Sequence, residues 1–255
     1  MATQSGSALD SSYNNGDFTR PETSATLRLE FRKSSSPTSA TEREIEILQY
    51  NSKLDLGENW KVGTQIQAPF VEKTTTTFDP PGAQNAAGLG DAIFQAALIH
   101  SAGERWAYGF GARLVAPTAT DSVSLDRWQI MPAAGVRYSF LEAGSDTYFV
   151  PVVRYAISFG GNPAARVIRE PQIAPTLNIG LPNDWFVTLY PSNDIRINFG
   201  TPVPGQTGRL FLPLDAAIGK KFMSSLIVSI EVSVPIVRDY PVYDFKSELK
   251  LTWQF

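Results

Sequence analysis

Apolar and polar residues alternate with a period of two along many short segments of this chain. The segment 244–255 shows the pattern best, because charged and apolar side chains alternate up to the aromatic Phe255. A strand of this kind has one apolar face and one charged face. In a membrane barrel the apolar face contacts lipid and the charged face lines the lumen, whereas in a soluble sandwich the charged face meets bulk water.

Twelve segments show strand character, each roughly 9–14 residues long, close to the ~9–11 residues that a tilted membrane-spanning strand needs. The alternation is cleanest in the first, third, fifth, sixth, tenth and eleventh segments, and least clear in the second, seventh and eighth. The predicted strands cover 24–33, 42–50, 60–71, 89–100, 105–116, 127–139, 147–158, 168–181, 184–198, 208–221, 226–236 and 244–255.

The connections between these segments differ in length in a regular way. Those after odd-numbered strands are longer, such as 72–88 and 117–126, and most of those after even-numbered strands are tight. Outer-membrane barrels have long extracellular loops and short periplasmic turns. The connections therefore favour a barrel with both chain ends on the periplasmic side.

Aromatic residues mark the ends of the predicted apolar faces, where membrane barrels carry aromatic girdles. The alternative is that they cap the core of a sandwich. Charges on the predicted lipid face are few, and two of them, Arg43 and Lys220, lie near strand ends where they can reach water. The periplasmic girdle is predicted to hold Trp60, Trp106, Trp185 and Trp253, and the outer girdle Trp128 and Tyr243.

The amino-acid composition limits which fold classes and which partners are compatible with the sequence. The 255 residues include no cysteine and one histidine, and the net charge is -3. Disulfides and thiolate metal sites are excluded, and the sequence has no nucleic-acid footprint. We predict an all-β protein, a 12-stranded antiparallel transmembrane β-barrel over 24–255, preceded by an irregular segment over 1–23. The barrel is expected to be a monomer in contact with the lipid and lipopolysaccharide of a bacterial outer membrane.

The N-terminal segment raises two further expectations. It lacks a basic stretch followed by an apolar one, so we expect no signal peptide in residues 1–23. A minority interpretation is that the segment folds into the lumen as a plug.

Catalysis is not favoured by the sequence. The only histidine, His100, is followed by Ser101 at a strand end, and neighbouring residues of a strand point to opposite faces. They cannot form a nucleophile–base pair there, and neither a cofactor nor a metal site is predicted. An outer-membrane hydrolase and a soluble β-sandwich or lipid-binding barrel remain the alternatives.

A short glycine motif, Gly88-Leu89-Gly90-Asp91, leads into the fourth predicted strand after a long loop. It lacks the Lys-Ser/Thr pair and the helix of a phosphate-binding loop. Together with twelve strands and a terminal Phe, it resembles the outer-membrane family named for the meta-pathway of phenol degradation. The resemblance implies a small monomeric channel, with aromatic or other fairly apolar nutrients as solutes.

The predicted inner face carries nearly equal numbers of acids and bases, which should pair in a narrow lumen. Either these pairs plug the barrel, or they frame a polar constriction that selects solutes by size and charge. The near balance of charge predicts weak ion selectivity. The same parity assigns Glu44 and Glu46 to the lumen and Arg43 to the lipid face. The residues predicted near mid-height are Arg28, Glu30, Arg113, Arg154, Asp215, Glu231 and Glu248.

The C-terminal aromatic residues suggest a separate role. A terminal Phe255 preceded by Trp253 resembles the signal that the barrel assembly machinery recognises during insertion. We therefore expect these two residues to serve assembly, and the inner face of the same strand to serve transport.

Overall fold

The structure is a computed structural model that describes residues 17–121, 123–144, 146–192, 194–223 and 225–255. The described chain is almost entirely β-structure, with two short 3-10 helices at Leu141–Ala143 and Pro182–Asp184. None of the helices in these ranges is long and apolar enough to span a membrane.

Fourteen strands make up the sheet. They are β1 (Ser24–Ser35), β2 (Ser39–Asp55), β3 (Trp60–Phe78), β4 (Pro81–Leu89), β5 (Ala92–Ala102), β6 (Trp106–Ala116), β7 (Trp128–Ser139), β8 (Tyr148–Phe159), β9 (Arg169–Gly180), β10 (Trp185–Leu189), β11 (Ile195–Ile197), β12 (Leu210–Phe222), β13 (Leu226–Arg238) and β14 (Phe245–Gln254).

The sheet closes on itself as a 12-stranded antiparallel barrel, which confirms the predicted fold. β1 pairs with both β2 and β14, from Ser24 opposite Gln254 to Lys33 opposite Phe245. β4 pairs only with β3 and continues into β5, and β10 and β11 share one place between β9 and β12. The fourteen strands therefore fill twelve positions in the wall, and closure leaves no sheet edge around the barrel.

The two ends of the barrel differ mostly as the connection lengths predict, although 140–147 at the short-turn end is longer than 239–244 at the other end. The short-turn end carries the connections 56–59, 103–105, 140–147, 181–184 and 223–225. The long-loop end carries 117–127, 160–168, 198–209 and 239–244. Two predicted loops are wrong: 34–41 is a tight turn, and most of 72–88 is a hairpin in which β3 and β4 extend beyond the ring of strands.

Large apolar side chains point outward around the barrel, as a lipid-facing surface requires. Phe110 is 57% exposed, Val153 53% and Ile230 53%, although all three lie in paired strands. The girdle tryptophans also point outward, each 38–56% exposed. Tyr243 departs from the prediction: it is fully buried inside the barrel, and its hydroxyl lies 2.8 Å from the Ser233 hydroxyl.

The register of β2 corrects the predicted faces of three charged residues. Arg43, Ile45 and Ile47 line the interior, whereas Glu44 and Glu46 are exposed on the outer face. This part of β2 pairs with the part of β3 that runs toward the extended hairpin. Charged side chains are tolerated there because outward-facing residues near a membrane interface reach water.

The ninth predicted strand, 184–198, is interrupted between β10 and β11. Tyr190 has a left-handed backbone conformation (φ 51°), and Pro191 follows it. Pro191 and Ser192 turn into the lumen, where the Ser192 hydroxyl donates to Glu231 Oε1 at 2.9 Å. The wall itself therefore narrows the interior at this height.

Candidate functional site

The barrel encloses a cavity of about 940 Å³. Its lining runs from Pro21 and Thr252 at the short-turn end to Lys73 and Val203 at the long-loop end. The lining is mostly charged, amide and hydroxyl side chains, because the outward strand faces carry the large apolar residues. This lumen is the candidate functional site.

Ion pairs cross the seam between the first and last strands. Arg28 donates from Nε and Nη2 to the two carboxylate oxygens of Glu248, at 3.0 and 2.6 Å. Arg32 forms an ion pair with Glu30, whose side chain is only 1% exposed. Both predicted acids of this group therefore pair with arginines, as the narrow lumen requires.

A second network joins β14 to the interrupted strand. The Lys246 ammonium lies 2.5 Å from both Asp194 Oδ2 and Glu231 Oε1. Asp194 also accepts from Arg196 at 2.6 Å. In the described part of the chain, one group of three carboxylates is close enough to share a metal ion, Asp194, Asp215 and Glu231. Lys246 supplies positive charge to two of them from the chain itself.

Two lumen arginines stand outside these ionic networks. Arg113 Nε donates to Gln95 Oε1 at 3.1 Å, and Arg154 Nε donates to Gln172 Oε1 at 2.8 Å. Gln172 in turn donates to Glu170 at 2.6 Å. On this side of the lumen, Arg113 and Arg154 therefore make arginine–amide contacts rather than ion pairs.

Six of the seven predicted mid-height residues line the cavity: Arg28, Glu30, Arg113, Arg154, Glu231 and Glu248. Asp215 is fully buried and lies outside that lining, behind the inward turn, where its carbonyl accepts from the Tyr190 amide at 2.9 Å. The functional roles of the seven remain predictions.

The alternation of residues along the sequence did not predict the inward turn or the ion pairs beside it. Asp194, Arg196 and Glu170 are not among the residues predicted near mid-height. The run Pro191-Ser-Asn-Asp194 is rich in turn-forming residues and could have signalled a break inside a predicted strand.

The glycine motif performs a structural task at the long-loop end. Asp91 is buried, and its carboxylate accepts from the backbone amides of Ala119 and Leu125, each at 3.1 Å. The Gly90 amide donates to the Pro69 carbonyl at 2.8 Å. A Cβ at Gly88 would overlap with Thr120. The motif therefore holds loop 117–127 at the long-loop end through hydrogen bonds to Asp91. Leu89 makes no such contribution and is 62% exposed.

Residues 17–23 lie against the inner wall near the short-turn end. Asp17 is fully buried and its Oδ2 lies 3.6 Å from Arg137 Nη1. The Phe18 ring fills the space above two glycines: a Cβ at Gly109 would lie 2.8 Å from it, and one at Gly135 2.6 Å. Residues 1–16 lie outside the described residues. The predictions of an irregular segment and of a plug therefore stay untested there.

His100 belongs to the girdle. Its ring lies 4.5 Å from the Trp60 ring and 5.1 Å from the Tyr108 ring, centroid to centroid, and both neighbours are exposed on the outer face. Trp253 and Phe255 are likewise 56% and 74% exposed on that rim. Their role in assembly remains a prediction.

One ion pair outside the strands has a clear electrostatic consequence. Arg105 donates to both carboxylate oxygens of Glu142, at 3.0 and 2.5 Å. These hydrogen bonds lower the pKa of the Glu142 carboxyl to about 2, from an ordinary 4.5. The pair joins the turn 103–105 to the 3-10 helix of the next short turn.

Comparison with known families matches residues 16–187 to the family described as "Putative MetA-pathway of phenol degradation". The match covers more than half of the chain. It confirms the resemblance drawn from the strand pattern and from Gly88–Asp91. No curated protein sequence matches the chain significantly.

Several solved structures share the fold at low sequence identity. The COG4313 outer membrane channel from Pseudomonas putida F1 has a TM-score of 0.70 and 15% identity, covering 94% of this chain and 98% of that one. The β domain of the Bordetella autotransporter BrkA has a TM-score of 0.55 and 11% identity, covering 92% and 100%. The CymD monoaromatic hydrocarbon channel has a TM-score of 0.51 and 8% identity, covering 95% and 91%. At such low identities the structural likeness shows the fold alone, that of an outer-membrane barrel.

Proposed function

Because the chain belongs to the family described as the MetA-pathway of phenol degradation, we propose that it is an outer-membrane channel through which small solutes diffuse passively. The observation that carries the proposal is the cavity of about 940 Å³, lined by residues from both ends of the barrel. Twelve strands enclose more room than the side-chain-filled barrels of eight strands and less than a porin of 16. The channel is therefore narrow, with its constriction at the inward turn and the seam pairs.

The solutes proposed are aromatic or other fairly apolar nutrients. Support comes from the family description and from the printed name of CymD, a monoaromatic hydrocarbon channel with the same fold. Apolar side chains on the inner wall, including Ile93, Val115 and Met131, give such solutes a surface to contact. Acids and bases are both present in the lumen, so selectivity among inorganic ions should be weak.

The barrel is proposed to sit in the bacterial outer membrane as a monomer, with its short turns in the periplasm. The exposed apolar belt and the tryptophan girdle support contact with lipid. Lipopolysaccharide at the outer rim and the barrel assembly machinery during insertion are the further partners proposed. No covalent chemistry is proposed, because His100 points to the outer face among girdle aromatics.

Planar-bilayer recording of the refolded protein tests the channel, with swelling of liposomes in small sugars and amino acids as a second readout. We expect single-channel steps and size-limited uptake. A barrel that shows the heat-dependent gel mobility of a folded outer-membrane protein, but neither conducts ions nor admits solutes, would instead be a plugged structural barrel.

A further inference from the structure

Arg113 and Arg154 offer guanidinium groups to the lumen without an acidic partner among the described residues. They lie on β6 and β8, on either side of β7, opposite Met131 and Ala133 in the sheet register. Each donates from Nε to a neutral glutamine. Within the described residues, no carboxylate oxygen lies within 4.0 Å of either side chain. Both side chains are half-buried and line the cavity, so their terminal nitrogens face lumen water.

The surroundings of Arg113 are electropositive. The charged groups that act on its guanidinium are Arg154, Arg28 and Arg196, all of them cations. Arg154 also feels the carboxylates of Asp194 and Glu170, both of which already pair with Arg196. Arg28 and Arg196 each have a carboxylate at 2.6 Å, whereas no carboxylate of the described chain lies within ion-pair distance of Arg113. A guanidinium partly removed from water and not matched by an anion is unfavourable. The site is therefore prepared for an anion from outside the chain.

An apolar surface adjoins the two arginines on the side toward the long loops. Val115 follows Arg113 on the same face of β6, and Ile93 pairs with Val115 in the register. Val115 and Met131 are 4% and 8% exposed and pack together with Ala156, Ile93 and Ile168. We call Ile93, Val115, Met131 and Ile168 the apolar patch; all four line the cavity. A ligand that spans patch and arginines must be apolar at one end and anionic at the other.

We infer that Arg113, Arg154 and the apolar patch form a lumen subsite for a small apolar monocarboxylate, such as an aromatic acid. The planar fork of a guanidinium matches the two oxygens of a carboxylate. Gln95 and Gln172 hold the Nε side of each fork and leave the other nitrogens for the ligand. An inorganic anion would satisfy the charge but would make no contact with Ile93 and Ile168, the partly exposed members of the patch. The inference rests on the proposed channel function and names the class of solute.

Single-channel recording with benzoate added on the long-loop side tests the subsite. We expect brief benzoate-dependent current blocks in the wild type, and none with benzyl alcohol, which has the same ring without the charge. R113Q and R154Q should each shorten the blocks about tenfold, the effect of losing one charge-assisted hydrogen bond. R43Q is the matched control: Arg43 also lines the cavity, but on β2 and away from the patch. It removes the same charge and should leave block duration unchanged.

Two further measurements make each outcome decisive. R113K keeps the positive charge but lacks the planar guanidinium, so its benzoate blocks should be nearly as short as those of R113Q. R113K also takes the place of R113Q if R113Q does not refold. Binding of radiolabelled benzoate to the refolded protein in detergent requires no ion flow. Conductance without benzoate block or binding overturns the subsite and leaves the channel standing. Benzoate binding that R113Q and R154Q weaken, in a barrel that does not conduct, overturns the channel and supports the subsite. Equal effects of R43Q and R113Q, or block by benzyl alcohol, also overturn the subsite.

Discussion

Arg28 on the first strand holds Glu248 on the last strand with two hydrogen bonds, 3.0 Å from Nε and 2.6 Å from Nη2. The pair lies inside the lumen, where β1 and β14 close the barrel. The Glu248 side chain is only 3% exposed. The Glu248 carboxylate therefore has two effects. It joins the first and last strands of the barrel, and it neutralises the Arg28 charge in the lumen.

Removing one partner of this pair should weaken the barrel. E248Q leaves the Arg28 charge without its bidentate acceptor, and breaking a buried pair costs about 3 kcal/mol. We expect the free energy of unfolding in guanidinium, measured in phospholipid vesicles, to fall by that order. E42Q is the control, because the Lys33–Glu42 pair is about half exposed on both sides and should contribute less than about 1 kcal/mol. Equal losses in the two variants would refute the special role of the seam pair.

The Asp91 carboxylate should control the opening of loop 117–127. D91A removes the acceptor for the Ala119 and Leu125 amides, and hydrogen bonds to a charged group contribute about 1.5–3 kcal/mol each. Hydrogen exchange of these two amides should accelerate at least about tenfold. D121A changes an exposed acid of the same loop and should leave their exchange unchanged. Exchange that is equally slow in D91A would show that the loop is held by other contacts.

Phe18 should restrict flow at the short-turn end. Its ring occupies the inner wall over Gly109 and Gly135, so F18A should widen this end and raise the single-channel conductance. F110A removes a ring of the same type from the outer face of β6 and should not change the conductance. If F18A conducts like the wild type, residues 17–23 do not limit the current.

The Arg105–Glu142 pair should show a defined pH dependence. The folded-state pKa of Glu142 is lowered to about 2, so the stabilisation by this pair is fully present above the ordinary pKa of 4.5 and is lost as the pH falls through about 2. Carboxyl carbon NMR of the labelled protein in micelles should titrate near 2 in the wild type. In R105Q, without the guanidinium, the midpoint should return toward 4.5. A wild-type midpoint that already lies near 4.5 would contradict the pairing in solution.

The sequence predicts strands well because alternation is a local property. All twelve wall positions, their approximate bounds and most of their faces follow from the period of two, which any strand must obey. The same reasoning fails at Glu44 and Glu46, where β2 runs toward the extended hairpin. There the exposed outer face carries Glu44 and Glu46, so charge no longer marks the inside.

The lumen could be predicted as a set of residues but not as a set of contacts. The alternation of side chains along each strand places Arg28, Arg113 and Glu248 on the inner surface, because successive residues point to opposite faces. Which arginine meets a carboxylate and which meets a glutamine depends on strand stagger and on the inward turn at Tyr190–Ser192. The sequence by itself thus determined a barrel with a charged interior. Only the tertiary structure decided that Arg28 pairs with Glu248 while Arg113 and Arg154 donate to glutamines, because that choice depends on distances between strands far apart in the chain.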